Sequence, residues 1–336
     1  MNTNQPPAVP KSRPPVSHFV RWPVTPDQLP EHPDFRRIII QDDDDLPSAA
    51  DWQLLAEYMS QHPHLGLFVD TTGDGLHDLD FLAEFGWLTD LTVECMSLQS
   101  VDGLRHLSNL RRVALGPTKR RVSLEVLTEL PELTSVSITD HSRELDVLGQ
   151  IPGLRSVSLT SAKRDDLEFL AGATQLRSVY LTMGRINDLS ALTRLPHLIS
   201  LDMYRTKVTD LTPIGECTSL VSAWLEGLPV GALPDLGALS DLVVLEVAKL
   251  NGLDDLTPIA HAPNLRYLRA QSKTLQPEDF MVLAGHPTLE VIDANLRTDE
   301  LSYQVNQMLN LDRDATNPYY QRAFKHELAA RIRGEQ

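Results

Sequence analysis

Two neighbouring segments of this sequence carry nearly the same apolar pattern, 22 residues apart. The stretch QLRSVYLTMGRINDLSALTRLP is followed directly by HLISLDMYRTKVTDLTPIGECT, which places Leu176 over Leu198 and Val179 over Leu201. A fixed period of this size predicts a solenoid, because each unit buries its apolar face only by stacking on its neighbours. The repeat therefore limits the chain to an elongated stack of similar units.

The same pattern runs through most of the chain. Each unit opens as L-x-x-L-x-L, whose alternation predicts a short strand with one buried face. The second half of a unit repeats apolar residues every three positions, which suits a tight 3₁₀ turn. We therefore expect an α/β solenoid of about 11 to 12 units, with a parallel sheet on one side and short 3₁₀ or α turns on the other. The units begin at leucines spaced by 21 to 24 residues, namely Leu65, Leu88, Leu110, Leu133, Leu154, Leu176, Leu198, Leu220, Leu242, Leu265 and Leu289.

The start of the chain departs from the repeat. Residues 1–28 hold prolines at positions 6, 7, 10, 14, 15, 23 and 26, which predicts a disordered arm. A short ligand motif for an aromatic groove is the alternative interpretation of this arm. Residues 29–64 are expected to form an N-terminal capping unit, with its strand at 35–40 and a helix that begins after Ser48.

The end of the chain departs from the repeat as well. The repeat domain is expected to span residues 65–296, and the period stops after that. Thr298 predicts the start of a helix through Leu309, and Asn317 with Pro318 predicts a second helix. We expect residues 297–336 to form a C-terminal helical cap, with a partner-binding helix as the alternative.

Charge and cysteine content disfavour several classes of protein. Lys and Arg total 30 against 46 Asp and Glu, so the net charge of −16 repels nucleic acid and anionic lipid over most of the surface. Lys119, Arg120 and Arg121 form a local basic exception. Cys95 and Cys217 belong to no CxxC pair and lie too many units apart for a disulfide. The first residues have no apolar signal-peptide core and no run of 18 apolar residues occurs, so we expect a cytoplasmic protein.

Motifs for catalysis or metal binding are weak. The segment DTTGDG at 70–75 imitates the start of a calcium loop, but Phe81 stands where an EF-hand needs its bidentate glutamate. The acidic run at 42–45 is expected to be a solvated surface segment. No G-x-S-x-G, H-E-x-x-H or phosphate-loop motif occurs. We therefore predict that the protein is not an enzyme and needs neither metal nor cofactor.

The L-x-x-L-x-L units resemble the leucine-rich repeat family, specifically the 22-residue class of internalin-type proteins and of the repeat regulator of protein phosphatase 1. The resemblance covers roughly residues 29–296, and it implies a curved horseshoe with the parallel sheet on its concave face. The family's loop asparagine is missing, so we expect other contacts to satisfy the backbone of the loops. The residues at its position are Met96, Thr118, His141, Ala162, Gly184, Thr206, Leu228, Leu250 and Lys273.

Strand alternation directs the third, fifth and seventh residues of each unit away from the core. Small serines recur at the third position and predict a smooth track, formed by Ser135, Ser156, Ser178, Ser200 and Ser222. Aromatic and charged residues gather at the outward positions of the later units, namely Tyr180, Asp202, Tyr204, Trp224, Glu226, Glu246, Tyr267 and Arg269. Exposed tyrosine and tryptophan in adjacent units have the composition of an interface hot spot. The alternative is that β-propensity favours the aromatic residues and that the acids keep the face soluble.

We predict a non-catalytic protein–protein interaction module that holds a protein or peptide in its concave groove through these eight residues. The acidic side chains favour a partner with a basic segment, and neither nucleic acid nor a membrane is expected as a partner. The alternatives are a regulatory subunit or inhibitor of an enzyme, which the phosphatase-regulator resemblance implies, and a sensor that recruits substrate. A structural or adhesive role of internalin type is a further alternative.

Overall fold

A long parallel sheet dominates the computed structural model, which describes residues 17–42, 47–71, 75–141 and 143–309. Its helices are α1 (Ala49–Ser60), α2 (Thr257–Ala260) and α3 (Asp299–Leu309). All strands except β8 and β10 form one 13-stranded sheet in which each strand lies beside the next one in the chain, and β8 and β10 pair separately. The strands are β1 (Ser17–Val20), β2 (Arg37–Asp42), β3 (Gly66–Thr71), β4 (Asp90–Cys95), β5 (Arg112–Leu115), β6 (Ser135–Thr139), β7 (Ser156–Thr160), β8 (Lys163–Arg164), β9 (Ser178–Thr182), β10 (Arg185–Ile186), β11 (Ser200–Tyr204), β12 (Ser222–Glu226), β13 (Val244–Ala248), β14 (Tyr267–Gln271) and β15 (Val291–Asn295).

The repeat sets the register of the sheet. Val179 in β9 pairs with Leu201 in β11, which pairs with Ala223 in β12, so equivalent positions of successive units lie side by side. These inward residues are almost fully buried in one core that continues along the stack. The predicted α/β solenoid with a parallel sheet is confirmed, because a nearly constant unit length keeps every leucine above its counterpart.

Short 3₁₀ segments return the chain to the next strand, as predicted. An aspartate before several of these segments accepts a backbone hydrogen bond that starts the turn. Asp188 Oδ1 lies 2.8 Å from the Ser190 N, and Asp210 Oδ1 lies 2.9 Å from the Thr212 N. The segments between β3 and β15 are Asp80–Phe85, Asp102–His106, Glu125–Glu129, Leu145–Gln150, Glu168–Leu170, Ser190–Arg194, Thr212–Glu216 and Pro277–Leu283, with the single turn α2 between β13 and β14.

The N-terminal arm is shorter than predicted. Residues 17–28 contain β1 and a 3₁₀ turn at Pro26–Gln28, so the expectation of disorder over 1–28 is corrected for this part; residues 1–16 lie outside the described residues. Val20 pairs with Ile40 of β2 and is completely buried. Trp22 lies edge-on to Trp52 of α1, with ring centroids 4.8 Å apart. These apolar anchors order the segment although prolines surround them.

The helix predicted after Ser48 is present as α1. Ser48 accepts a hydrogen bond from the Asp51 N, and the Asp51 carboxylate accepts one from the Ser48 N, which completes a capping box. Trp52 on the buried face stacks on Phe81, with ring centroids 3.8 Å apart. The strand expected at 35–40 begins slightly later, as β2, and it is the second strand of the sheet.

Backbone hydrogen bonds form a ladder in the loops, where the leucine-rich repeats that this chain resembles have a ladder of asparagine side chains. The N–H of Met183 donates to the Tyr204 carbonyl at 2.8 Å, and the N–H of Arg205 donates to the Glu226 carbonyl at 2.8 Å. The buried Thr206 hydroxyl adds a bond to the Leu181 carbonyl. The loops thus satisfy their backbone groups through a left-handed residue just after the strand, in turn Asp140, Ser161, Met183, Arg205, Gly227 and Lys249.

The C-terminal helix α3 begins where Thr298 predicted, and the Thr298 hydroxyl accepts a hydrogen bond from the Leu301 N. It packs on β15 and on the 3₁₀ segment before it. The second predicted helix, the acidic run at 43–45 and residues 72–74 of the calcium-like segment lie outside the described residues. That the helices act as caps stays a prediction. No helix in the described ranges combines the length and the apolar character needed to cross a lipid bilayer.

Candidate functional site

The eight predicted site residues lie on three adjacent rows of the outward sheet face, which we call the groove face. Neighbouring members of a row stand about 4.8 Å apart, as in any sheet. The seventh-position row contains Thr182, Tyr204 and Glu226. The fifth-position row contains Tyr180, Asp202, Trp224, Glu246, Arg269 and Asp293.

An aromatic pair, Tyr204 and Trp224, occupies the middle of this region. The two ring centroids lie 6.3 Å apart with planes at 40°, and the Arg205 guanidinium lies 5.3 Å from the Tyr204 centroid. Trp224 is half-buried, and its indole Nε1 has no hydrogen-bond partner among the described residues. A buried indole N–H usually has an acceptor, so the Trp224 Nε1 is an exception, buried without one among the described residues.

Tyr180 covers part of the predicted serine track. Burial raises the pKa of the Tyr180 phenol, while the nearby Ser178 hydroxyl lowers it, the Asp202 charge raises it and the Ser200 hydroxyl lowers it. Ser178 is fully buried, and its Oγ lacks regular hydrogen-bond geometry to any described group. Ser178, Ser200 and Ser222 are all buried, so the smooth track predicted from the outward serines is not exposed at these three positions.

The acidic side chains of the site already have cationic neighbours within the chain. Glu226 pairs with Lys249 at 2.6 Å, and Glu246 lies 3.5 Å from Arg269. Arg269 Nε also lies 3.5 Å from an Asp293 oxygen, although the angle does not make a hydrogen bond. Burial raises the pKa of Asp293, and the charge of Arg269 lowers it. The negative charge of the groove face is therefore largely balanced internally.

Tyr267 does not offer the open binding surface predicted from its outward position. It is 3% exposed and packs with Val291 and Val244 in a small apolar cluster separate from the main core. These three residues occupy the third position of successive units, in line with Ser222. The change from serine to apolar residues at this position was a visible signal that the row becomes a covered cluster.

Arg205, Lys249 and Asp293 contact predicted site residues, although the sequence reasoning left these three out of the site. Arg205 and Lys249 occupy the left-handed position that follows each strand; the Arg205 guanidinium lies over the Tyr204 ring, and Lys249 pairs with Glu226. Asp293 continues the fifth-position row beyond Arg269. Strand register identifies Asp293, whereas Arg205 and Lys249 follow their strands and are identified by their contacts with Tyr204 and Glu226.

The described residues at this site form no cluster that could hold a metal ion. Over the described ranges, no three histidine, cysteine or acidic side chains are placed to hold a metal ion. Burial raises the pKa of the Cys217 thiol to about 12, so this core cysteine is not a thiolate at neutral pH. The groove face has aromatic surface and ion pairs, which are features of binding.

Solved structures share this architecture at low sequence identity. A leucine-rich-repeat protein of Leptospira interrogans is similar with a TM-score of 0.54 and 14% identity, over 81% of this chain and 70% of that one. A chain of the Toll–Spatzle complex from Drosophila is similar with a TM-score of 0.51 and 12% identity, over 81% of this chain and 42% of that one. An internalin of Listeria monocytogenes has a TM-score of 0.49 and 21% identity, over 75% of this chain and 80% of that one.

No protein-family model matches the sequence, and no curated protein matches it significantly. The parallel sheet of repeated units, the 3₁₀ turns and the structural neighbours agree with one another. The chain therefore has the leucine-rich-repeat fold.

Proposed function

We propose that this chain is a non-catalytic interaction module that binds a protein partner on the groove face, centred on Tyr204 and Trp224. Leucine-rich-repeat folds generally present extended concave binding surfaces. The observation that carries the proposal is the half-buried Trp224 with its unpaired Nε1 beside Tyr204. Tryptophan and tyrosine are the residues that most often dominate binding energy at protein interfaces.

The unpaired indole N–H indicates what the partner supplies. A buried donor without an acceptor costs about 1–3 kcal/mol. A carbonyl or carboxylate oxygen of a partner would remove that cost while the aromatic rings bury apolar surface against it. We propose that an acceptor group flanked by an apolar side chain of the partner contacts the aromatic pair.

The internal ion pairs change the partner chemistry expected from the sequence. Glu226 and Glu246 already face Lys249 and Arg269, so a basic segment would have to displace these cations. We propose that a basic segment, where the partner has one, is attracted by the net charge of −16 and lies outside the aromatic contact. The Toll–Spatzle neighbour was solved in a complex, which supports a protein ligand by analogy of fold only.

Affinity capture with matched variants tests the proposal. The groove variant Tyr204→Ala/Trp224→Ala is compared with Tyr303→Ala/Met308→Ala, which removes exposed apolar side chains from α3. We expect wild type and the α3 variant to retain one partner that the groove variant loses, while all three proteins melt within a few degrees of one another. Equal capture by all three would contradict binding on the groove face.

A photo-crosslinker then locates the contact. Position 202 lies between the strands that carry Tyr180 and Trp224 in the fifth-position row, so a photoreactive residue there should crosslink the captured partner. The same residue at position 303 on α3 should not. A crosslink only from position 303 would move the contact to the C-terminal end.

A further inference from the structure

An apolar strip lies on the groove face at its N-terminal end. Phe19 in β1, Ile39 in β2 and Phe68 in β3 pair in register, so three large apolar side chains follow one another in the fifth-position row. Phe19 is 59% exposed, and the other two are half-buried. The core cluster and the apolar residues packed on it include none of the three. Contiguous apolar side chains left exposed on one face are typical of a contact surface, and we call these three residues the N-terminal strip.

Two carboxylates border the N-terminal strip. Asp70 in β3 and Glu94 in β4 stand directly opposite each other in the seventh-position row, and like charges placed in this way repel. Within the described ranges, neither side chain forms an ion pair or a hydrogen bond. This pair differs from Glu226 and Glu246, whose cationic neighbours lie within the chain. A cation supplied by a partner would relieve the repulsion.

The arginines near the strip do not supply this cation. Arg37 lies over the Phe68 ring, 5.9 Å from its centroid, and 3.8 Å from Asp90. Arg112 contacts the same Asp90 carboxylate at 2.9 Å. Both arginines belong to the third-position row, on the opposite side of the strip from the two carboxylates. Arg21 follows β1, which two strand spacings of about 4.8 Å separate from β3. The acidic side of the strip therefore suits a cation from a partner.

Small side chains connect the strip with the proposed aromatic contact. Between Phe68 and Tyr180, the fifth-position row holds Thr92, Ala114, Ser137 and Ser158. No bulky side chain of this row therefore divides the groove face between β3 and β9. The five strand spacings of about 4.8 Å add up to about 24 Å, which an extended peptide covers with roughly seven residues.

We propose that the N-terminal strip binds an apolar side chain of the partner, and that a neighbouring lysine or arginine of the partner pairs with Asp70 and Glu94. The contact rests on the proposed function, because it belongs to the same partner on the same face. The strip supplies apolar area to bury, and the carboxylates select the charge of the residue beside it. One extended segment of about ten residues would reach from Phe68 to Trp224, two strands beyond Tyr180.

Selection of random peptides of about 15 residues on the immobilised full chain tests this contact. We expect the enriched peptides to share a lysine or arginine beside an apolar residue. A synthetic peptide of that family should bind Phe19→Ser/Phe68→Thr about tenfold more weakly than wild type. The control Tyr303→Ala/Met308→Ala, which removes exposed apolar side chains from α3, should bind it like wild type. Equal melting temperatures of the variants and wild type show that the difference is not a loss of folding.

An exchange of charge tests the carboxylates without changing the apolar residues. Replacing the lysine or arginine of the synthetic peptide by glutamate should weaken its binding to wild type by about tenfold. Asp70→Lys/Glu94→Lys should bind the glutamate peptide more tightly than the original one. Enriched peptides without a basic residue, equal binding of both peptides by wild type, or no enrichment at all would overturn the proposal.

The same peptides separate this contact from the proposed function. Loss of binding only in Tyr204→Ala/Trp224→Ala would overturn the contact at the strip and leave the proposed function in place. Loss only in Phe19→Ser/Phe68→Thr would support the contact and remove the aromatic pair from the proposed function.

Other occupants of the strip would give different results. Enrichment only on a chain that lacks residues 2–16 would assign the strip to that segment of the chain itself. A concentration-dependent dimer in sedimentation that Phe19→Ser/Phe68→Thr abolishes would assign the strip to a second copy. Either result would overturn the proposal.

Discussion

Tyr204 and Trp224 are diagonal neighbours on adjacent parallel strands, with ring centroids 6.3 Å apart. Their strands place them on different outward rows, and the indole Nε1 finds no acceptor within the described chain. Diagonal pairs of this kind are within reach of aromatic side chains across a sheet. The fold therefore brings the two rings together but leaves the indole N–H of Trp224 without an acceptor. For this reason we propose that the pair binds a partner.

Replacing the Trp224 indole tests whether this side chain contributes to partner binding more than to stability. Trp224→Phe removes the unpaired N–H and keeps an aromatic ring, so the free energy of unfolding should stay within about 1 kcal/mol of wild type. Capture of the partner should fall at the same time. The matched change Trp52→Phe, at a ring stacked on Phe81 and 6% exposed, should cost more stability, about 1–3 kcal/mol. Equal destabilisation by the two changes in urea unfolding would contradict this difference.

Two of the groove-face tyrosines, Tyr204 and Tyr267, should respond differently to truncation. Tyr267→Ala removes a buried ring from its contact with Val291 and should lower the free energy of unfolding by about 3–5 kcal/mol. Tyr204 is half-buried, and Tyr204→Ala should cost roughly 1 kcal/mol while weakening partner binding. Parallel urea titrations measure both values. A small cost at Tyr267 would place that ring at the surface, as the sequence alone suggested.

The repeat in the sequence was enough to predict the sheet, the 3₁₀ turns and the direction of each side chain. Tyr267 shows the limit of that information. Alternation sends its side chain away from the core, and its burial depends on Val244 and Val291, which the adjacent strands place on either side of it. The pairing of Glu226 with Lys249 could not be predicted from one unit either, because it depends on which residue of the next loop lies beside Glu226. Burial and charge balance on an outward face are properties of neighbouring strands and not of one unit.

The strand β1 was not predicted from the sequence, for a different physical reason. Its residues lie outside the repeat period, in a segment rich in proline. The strand forms because β2 offers an open edge and because Val20 reaches the core. Main-chain pairing needs no particular side-chain pattern over four residues, so composition alone pointed to disorder. The start of α1 was predicted correctly because Ser48 caps the helix through local hydrogen bonds with Asp51.

The left-handed ladder predicts that glycine is favoured at position 227, although other units hold non-glycine residues at the equivalent position. Gly227 has φ of +67°, and an added Cβ would lie 3.1 Å from the Arg205 Cγ. Gly227→Ala should therefore cost about 1–2 kcal/mol of stability. Gly86→Ala is the control, because its φ is negative and its Cβ would meet the nearest atom at an ordinary 3.5 Å; this change should be neutral or slightly stabilising. Thermal unfolding of both variants should show the loss only at position 227.

The aspartates that start the 3₁₀ turns predict how acid destabilises the fold. Hydrogen bonds from Ser190 and Thr212 lower the pKa of Asp188 and Asp210 below the ordinary 3.8. Since the folded pKa lies below the unfolded one, their stabilisation is present above about pH 4 and is lost as the pH falls through the folded values. Asp188→Asn/Asp210→Asn keeps an acceptor at each turn but cannot titrate. The decline in melting temperature between pH 5 and 3 should therefore be shallower in this variant, and an unchanged decline would exclude these carboxylates as its source.

Core packing predicts that both cysteines are chemically silent in the folded protein. Cys95 and Cys217 are buried free thiols, and burial raises the pKa of Cys217 to about 12. At pH 8 roughly one Cys217 in ten thousand would be a thiolate, the form that attacks electrophiles. Iodoacetamide should therefore label neither residue in the native chain and should label both after unfolding in guanidinium. Because Cys217 packs beneath the turn that follows Asp210, its labelling rate in native buffer reports the opening of a single unit. If it reacts faster than the whole chain unfolds, the units of this solenoid open locally.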